Sequence, residues 1–154
     1  MRRLKANLLL LLSIQFGFSA FASDFKSKEQ VMSASGEFEI QLDPQKEDAV
    51  PAGRMILSKK YTGGLVGNGA GQMLSKRTDG GIAVYTAIEE FNGSLDGQNG
   101  SFTLVHNGYM SGETQRLEIN ILQGSGKGAL KNISGSMQII REKDQHNYVL
   151  TYQL

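Results

Sequence analysis

Glu89 and His106 are the residues of this chain whose types and spacing are best suited to chemistry. Each lies in an alternating run of apolar and polar residues, Ile82–Asn92 for Glu89 and Ser101–Met110 for His106. A carboxylate beside an imidazole forms a charge-assisted hydrogen bond and can hold the ring for proton transfer. Because an unpaired buried carboxylate is costly, the same pair also serves as a structural contact or as part of a ligand site. The sequence leaves these three roles open.

Three further polar residues are expected on the same interior face, namely Gln72, Tyr85 and Lys59. Lys59 is expected to point inward because the residues two positions to either side of it are apolar or aromatic. We predict ligand contacts from these three residues together with Glu89 and His106, and we predict that Glu89 and His106 are catalytic if the chain is an enzyme. No cofactor and no metal site are predicted, because the chain has only two histidines and no cysteine.

The elements that must position these residues are short strands. Alternating runs are broken by glycine, asparagine or aspartate every eight to twelve residues, which is typical of a sandwich or barrel. We predict an all-β fold, an eight-stranded antiparallel β-barrel. Closure removes exposed strand edges, and eight strands leave room for side chains or one small ligand. The predicted strands contain Glu37–Leu42, Arg54–Thr62, Gly69–Thr78, Ile82–Asn92, Ser101–Met110, Gln115–Gln123, Gly135–Arg141 and Asn147–Leu154, with a single helical turn at Leu130–Ile133.

Turn chemistry predicts how the strands pair. A two-residue turn at Asp79-Gly80 would place Gln72 opposite Ala87. A loop over residues 96–99 would place Glu89 opposite His106, and a turn at residues 112–113 would place His106 beside Ile119. Directly opposed residues share a face. The predicted interior therefore contains Gln72, Leu74, Tyr85, Ala87, Glu89, Phe91, Phe102, Leu104, His106, Leu117, Ile119 and Ile121, joined by Met137, Ile139, Leu150 and Tyr152 of the last hairpin.

The first residues have the three parts of a secretory signal. Basic residues precede the apolar run Leu8–Leu12, and Ala20-Phe21-Ala22 supplies a small-x-small cleavage site. The apolar stretch is too short for a stable membrane anchor. We predict a signal peptide over residues 1–22 with cleavage after Ala22, a flexible arm over 23–34 and one barrel domain over 35–154. The mature protein is thus expected to be periplasmic or secreted.

Composition narrows the classes of partner. Cleavage would remove three of the 16 basic residues, which leaves 13 against 15 acidic residues and a formal charge of −2. Binding to a phosphate backbone needs a clustered positive surface, and none is evident, so no nucleic-acid partner is predicted. The absence of cysteine excludes disulfides and cysteine nucleophiles. Self-association remains open.

Two glycine-rich segments superficially resemble nucleotide-binding loops. The segment Gly67–Gly71 follows no βα unit and opens no helix, so we interpret it as a bend or bulge in the barrel. The segment Gly124–Gly128 lacks the hydroxyl residue of a phosphate loop and is interpreted as a connector.

Several motifs resemble those of a bacterial family, number 3224 among the domains of unknown function. The central motif runs from Glu89 to Phe102 as EEFNGSLDGQNGSF and continues as LVHNG over residues 104–108. The segments YTGGLVG (61–67) and GSGKGAL (124–130) also match, so the resemblance covers nearly all of 35–154. It implies an eight-stranded barrel similar to plant allene oxide cyclase, without an established activity. Fold likeness does not transfer that enzyme's reaction.

Three hypotheses for function follow. The leading one is a binding protein for a small, partly apolar molecule in the barrel interior. The second is an isomerase- or cyclase-like enzyme with an acid–base pair formed by Glu89 and His106. The third is a packed barrel that acts through its surface or by self-association. An interior filled by its large apolar residues would favour the third hypothesis.

Overall fold

A computed structural model describes residues 30–46, 50–112, 114–143 and 145–154. The predicted signal peptide, its cleavage site and most of the predicted arm lie outside these residues. The described residues contain no helix, and therefore none long and apolar enough to cross a membrane. They form nine strands: β1 (Met32–Gln45), β2 (Gly53–Gly63), β3 (Leu65–Arg77), β4 (Ala83–Leu95), β5 (Gln98–Met110), β6 (Gln115–Ile121), β7 (Lys127–Gly128), β8 (Ser134–Glu142) and β9 (Gln145–Gln153). β1 thus begins within the segment assigned to the arm.

Eight strands close into an antiparallel barrel in the circular order β1-β2-β3-β4-β5-β6-β8-β9, because β4 also pairs with β5. The predicted eight-stranded antiparallel barrel is confirmed. The short strand β7 is an addition that pairs with β5 at Gly100 and Ser101. The weakest seam lies between β6 and β8, which share the single pair Asn120 and Ser136.

The β3–β4 hairpin differs from its prediction and reverses the face of β3. Its connection runs over residues 78–82, where the Thr78 amide donates to the Ile82 carbonyl at 2.8 Å. Gln72 consequently lies opposite Ile88, one residue from the predicted register. A shift of one residue moves every side chain of a strand to the other face. The predictions that Gln72 and Leu74 point inward are therefore wrong, and both are exposed.

The two-residue turn occurs instead between β4 and β5. Asp96 and Gly97 have φ angles of 47° and 83°, and positive φ at both central residues is what a type I′ turn requires. The strands therefore pair right up to this turn, which shifts the register by two from the prediction. Glu89 now lies opposite Leu104 and diagonal to His106. A shift of two keeps every residue on its predicted face.

One other predicted register is confirmed, and the last hairpin has Met137 and Leu150 inside as predicted. His106 lies opposite Ile119 across β5 and β6. Met137 lies opposite Leu150 in the last hairpin, and both are buried. The buried residues of these pairs identify the face of each strand that lies inside the barrel.

One end of the barrel is filled by large apolar side chains. The connection between β6 and β8 covers this end with Leu130 and Ile133, which are 0% and 2% exposed. The predicted helical turn here is wrong. Two successive turns form instead, in which the Leu130 amide donates to Lys127 and the Ile133 amide donates to Leu130. The other apolar residues of this end are Leu65, Phe91, Leu95 and Phe102, all fully buried.

Candidate functional site

Glu89, His106 and Lys59 meet at the centre of the barrel, as predicted. Oε2 of Glu89 accepts a hydrogen bond from Nζ of Lys59 at 2.7 Å and lies 3.0 Å from Nε2 of His106. The hydroxyl of Tyr61 donates to Oε1 of Glu89 at 2.8 Å. The carboxylate is fully buried, and its two oxygens are surrounded by donors. This arrangement satisfies the rule that a buried charge must be paired.

His106 is the incompletely bonded member of this cluster. Its Nε2 is buried and close to Glu89, yet it forms no well-aligned hydrogen bond among the described residues. Lys59 already occupies the same carboxylate oxygen at 2.7 Å. Buried polar atoms normally have an aligned partner, so Nε2 is the atom of the cluster best placed to accept or donate to an added group.

The glycines of β3 make room for Glu89. Gly69 lies beside Lys59 on β2 and beside Phe91 on β4. A Cβ atom at Gly69 would overlap Oε1 of Glu89 and press on the ring of Tyr61. The carboxylate therefore folds over the bare backbone of β3. The segment 67–71 lies within that regular strand and provides this close approach.

Electrostatics keep Glu89 ionised and Tyr61 protonated. Burial raises the pKa of Glu89, but contact with His106 and Lys59 outweighs burial and holds that pKa below its ordinary value. Burial, followed by the charge of Glu89, raises the pKa of Tyr61 well above its usual range. The Tyr61 phenol therefore acts as a hydrogen-bond donor to a carboxylate at neutral pH.

The inner face beyond the cluster, at the end opposite the filled one, is only partly buried. Tyr85 lies there with its ring against Gly108, and burial raises the pKa of its phenol. It points inward as predicted, but the described polar partners of Glu89 are Lys59, Tyr61 and His106. Ala87, which is 3% exposed, lies between Tyr85 and Glu89 on β4 and opposite His106. The partly buried residues of this open end are Met55, Met73, Tyr85, Leu117 and Ile139.

The interior at the level of the cluster and just below it is filled. Phe91, Phe102 and Leu104 are 0% exposed and Ile119 is 2% exposed. This part of the interior is therefore packed with side chains, which is the observation expected of the packed-barrel hypothesis.

Gln72 is not part of this site. It lies on the outer face, where Nη1 of Arg54 donates to its side-chain oxygen at 3.4 Å. Within the described ranges, no three histidine, aspartate or glutamate side chains lie close enough to hold a metal ion.

Two members of the site were not identified from the sequence. Tyr61 bonds Glu89, and the ring of Phe38 lies 4.7 Å from Nζ of Lys59, a cation–π distance. Tyr61 lies on the inward alternation of β2 that predicted Lys59, and Phe38 lies on the corresponding alternation of β1. Alternation could have identified both residues as inward-facing, but it does not predict which side chains they contact.

Comparisons with known proteins agree with the fold. The profile described as "Protein of unknown function (DUF3224)" matches residues 34–152. A crystal structure of a DUF3224 protein of unknown function from Shewanella oneidensis MR-1 is similar, with 35% identity and a TM-score of 0.74 over 80% of this chain and 96% of that chain. Among curated proteins, none shows significant sequence similarity. The family resemblance stated from the motifs is confirmed, and the chain belongs to the DUF3224 family.

Proposed function

We propose that the barrel binds one small, partly apolar molecule through its open end, with the polar group of that molecule against Lys59 and His106. The observation that carries this proposal is the contrast in burial along the inner face. Apolar side chains are partly exposed at the open end, and a buried charged cluster lies further inside, beyond the buried side chains of Leu57 and Ala87. Apolar walls with a few convergent polar groups are typical of small-molecule sites.

The chemistry of the lining defines the molecule. Met55 and Met73 lie opposite each other on β2 and β3, and methionine adapts its shape to varied apolar partners. Nζ of Lys59 and Nε2 of His106 are the polar atoms of the buried cluster that would contact the molecule, and both lie against Oε2 of Glu89. A carbonyl or carboxylate oxygen on an otherwise apolar molecule would complete the hydrogen bonding of His106.

The proposal is tested with neighbouring residues on opposite faces of β3. Met73→Trp would narrow the open end, while Leu74→Trp adds the same bulk to the outer surface, where Leu74 is 47% exposed. With the fluorescent probe anilinonaphthalene sulfonate, Met73→Trp is expected to weaken binding about tenfold, or about 1.4 kcal/mol. Leu74→Trp is expected to leave binding unchanged. Equal effects of the two variants, or none, would contradict the proposal.

The contact between Glu89 and His106 also favours a second candidate, an isomerase- or cyclase-like enzyme. A carboxylate 3.0 Å from an imidazole nitrogen is within reach for general acid–base catalysis. Native mass spectrometry of the protein from the cells that make it would identify a bound molecule. If Glu89 is a base, the unmodified protein should convert that molecule and Glu89→Gln should not. If the barrel is a binding protein, the molecule should stay bound and chemically unchanged.

We also propose that the protein is exported and acts in the periplasm or outside the cell. Support comes from the basic, apolar and small-x-small segments of residues 1–22. Intact-mass analysis of the envelope and secreted fractions should find a chain that starts at Ser23. A full-length chain confined to the cytoplasm would contradict this proposal.

A further inference from the structure

Strand β1 extends beyond its neighbour on one side of the barrel. It pairs with β2 as far as Gln45, but with β9 only as far as Glu37. β9 begins at Gln145, two residues before Asn147, which is the partner of Glu37. From Phe38 onward, no described residue pairs with β1 on the β9 side. Among the residues that the structure describes, the far half of β1 therefore presents a free edge.

The backbone groups on this edge are identified by alternation. The Ser35 carbonyl accepts from the Gly64 amide at 2.9 Å, which is on the β2 side of the strand. Successive residues of a strand point their amide and carbonyl groups to opposite sides. The groups of Phe38, Ile40 and Leu42 therefore point away from β2, toward the free side. They can pair with another strand without disturbing the barrel.

Side chains along this edge alternate between apolar and polar, and two of the polar ones are acidic. Ile40 and Leu42 lie on the inner row and are nevertheless 37% and 45% exposed. Glu39 and Asp43 lie on the outer row and are exposed. Where β1 parts from β9, a groove of about 410 Å³ is lined by residues of β1, β2 and β9, including Ile40, His146 and Lys60, which lies opposite Glu39.

We infer that this edge of β1 accepts an extended peptide as an additional strand, and that the peptide alternates apolar and basic residues. Strand addition uses backbone hydrogen bonds for affinity and alternate side chains for specificity. The apolar residues would cover Ile40 and Leu42, and the basic residues would lie beside Glu39 and Asp43. A second copy of β1 would instead bring like charges together, which is destabilising between adjacent strands.

The test measures fluorescence anisotropy of a labelled short peptide of alternating lysine and valine with the full chain. A scrambled peptide of the same composition is the control. Ile40→Pro removes an amide on the free side but none from the pairing with β2, and edge strands tolerate proline. We expect Ile40→Pro to weaken binding at least about tenfold and Ile40→Ala, which keeps the amide, to weaken it less. Thermal unfolding of each variant checks the fold, and Leu42→Pro provides the same test at a second position.

Charge exchange tests the specificity. The double variant Glu39→Lys and Asp43→Lys should lose binding to the lysine–valine peptide and gain binding to the matching glutamate–valine peptide. Both effects should weaken at high salt, because these charges are exposed. Equal binding of the scrambled peptide, or no effect of either proline, would overturn the inference. A dimer of the unmodified chain that Ile40→Pro dissociates would also overturn it, since the edge would then belong to a second copy.

Discussion

The two ends of the barrel are built from the same strands but are packed very differently. At the filled end, side chains such as Phe91 and Phe102 are fully buried, and Leu130 covers them from the β6–β8 connection. At the open end, Met55 and Met73 occupy equivalent inward positions and remain partly buried. The difference shows how one sheet can concentrate packing at one end and leave the other end, where we propose binding, less densely packed. Four predictions test this division.

The largest expected effect is on stability at the filled end. Phe91 packs against Tyr61 and Phe102 with ring centroids 5.7 and 5.1 Å apart. Phe91→Ala should lower the free energy of unfolding by about 3–5 kcal/mol, because it leaves a cavity among rigid neighbours. Met55→Ala at the open end should cost less than about 2 kcal/mol. Urea unfolding compares the two, and equal losses would contradict the contrast between the ends.

The charged cluster at the boundary should behave as a coupled unit. Lys59→Met leaves the buried carboxylate of Glu89 without its cation and should cost about 3 kcal/mol of unfolding free energy. The double variant Lys59→Met with Glu89→Gln should cost less than the sum of the single variants. Strict additivity in urea unfolding would show that the two side chains do not stabilise each other.

Glu89 should also make stability depend on pH. Its folded pKa lies below the ordinary value, and an unfolded glutamate titrates near about 4.3. The resulting stabilisation is fully present above the unfolded pKa and is lost as pH falls through the folded pKa. Below about pH 4 the unmodified protein should therefore lose stability more steeply than Glu89→Gln. Parallel pH profiles for the two proteins would contradict this account.

The smallest effect is expected at a hydrogen bond that closes the filled end. The hydroxyl of Tyr152 donates to Oδ2 of Asp96 at 2.7 Å, and burial together with this bond raises the pKa of Tyr152 to about 12. Tyr152→Phe should cost about 1 kcal/mol. The stabilisation should persist below the ordinary tyrosine pKa and disappear as pH rises through the raised value. Ultraviolet titration of tyrosinate measures this shift, and its absence would argue against the bond.

The sequence predicted faces better than it predicted turns. Alternation placed Lys59, Glu89 and His106 inside, and the structure brings all three together. Gln72 was misplaced because Asp79-Gly80 looks like a two-residue turn. In the structure Gly81, with a φ of 84°, takes the left-handed conformation instead, and the connection grows to five residues. Two adjacent glycines offer two turns, and only packing of the finished barrel chooses between them.

The error in the register between β4 and β5 did not change the predicted interior, because a shift of two residues leaves each side chain on the same face of its strand. The partners of Glu89 depend on more than face. Tyr61 reaches the carboxylate across the stretch of β3 whose inner positions are glycine, and such an approach is a property of the three-dimensional barrel. No local pattern of residues encodes it.

The bare backbone at Gly69 has a consequence for comparing homologues. Any side chain at this position would occupy the space now held by the carboxylate of Glu89. Across an alignment, positions 69 and 89 should therefore covary. Where position 69 has alanine or a larger residue, position 89 should have a residue shorter than glutamate. A glycine retained at position 69 would serve as a marker that a relative still carries the buried acid, even where other parts of the chain have diverged.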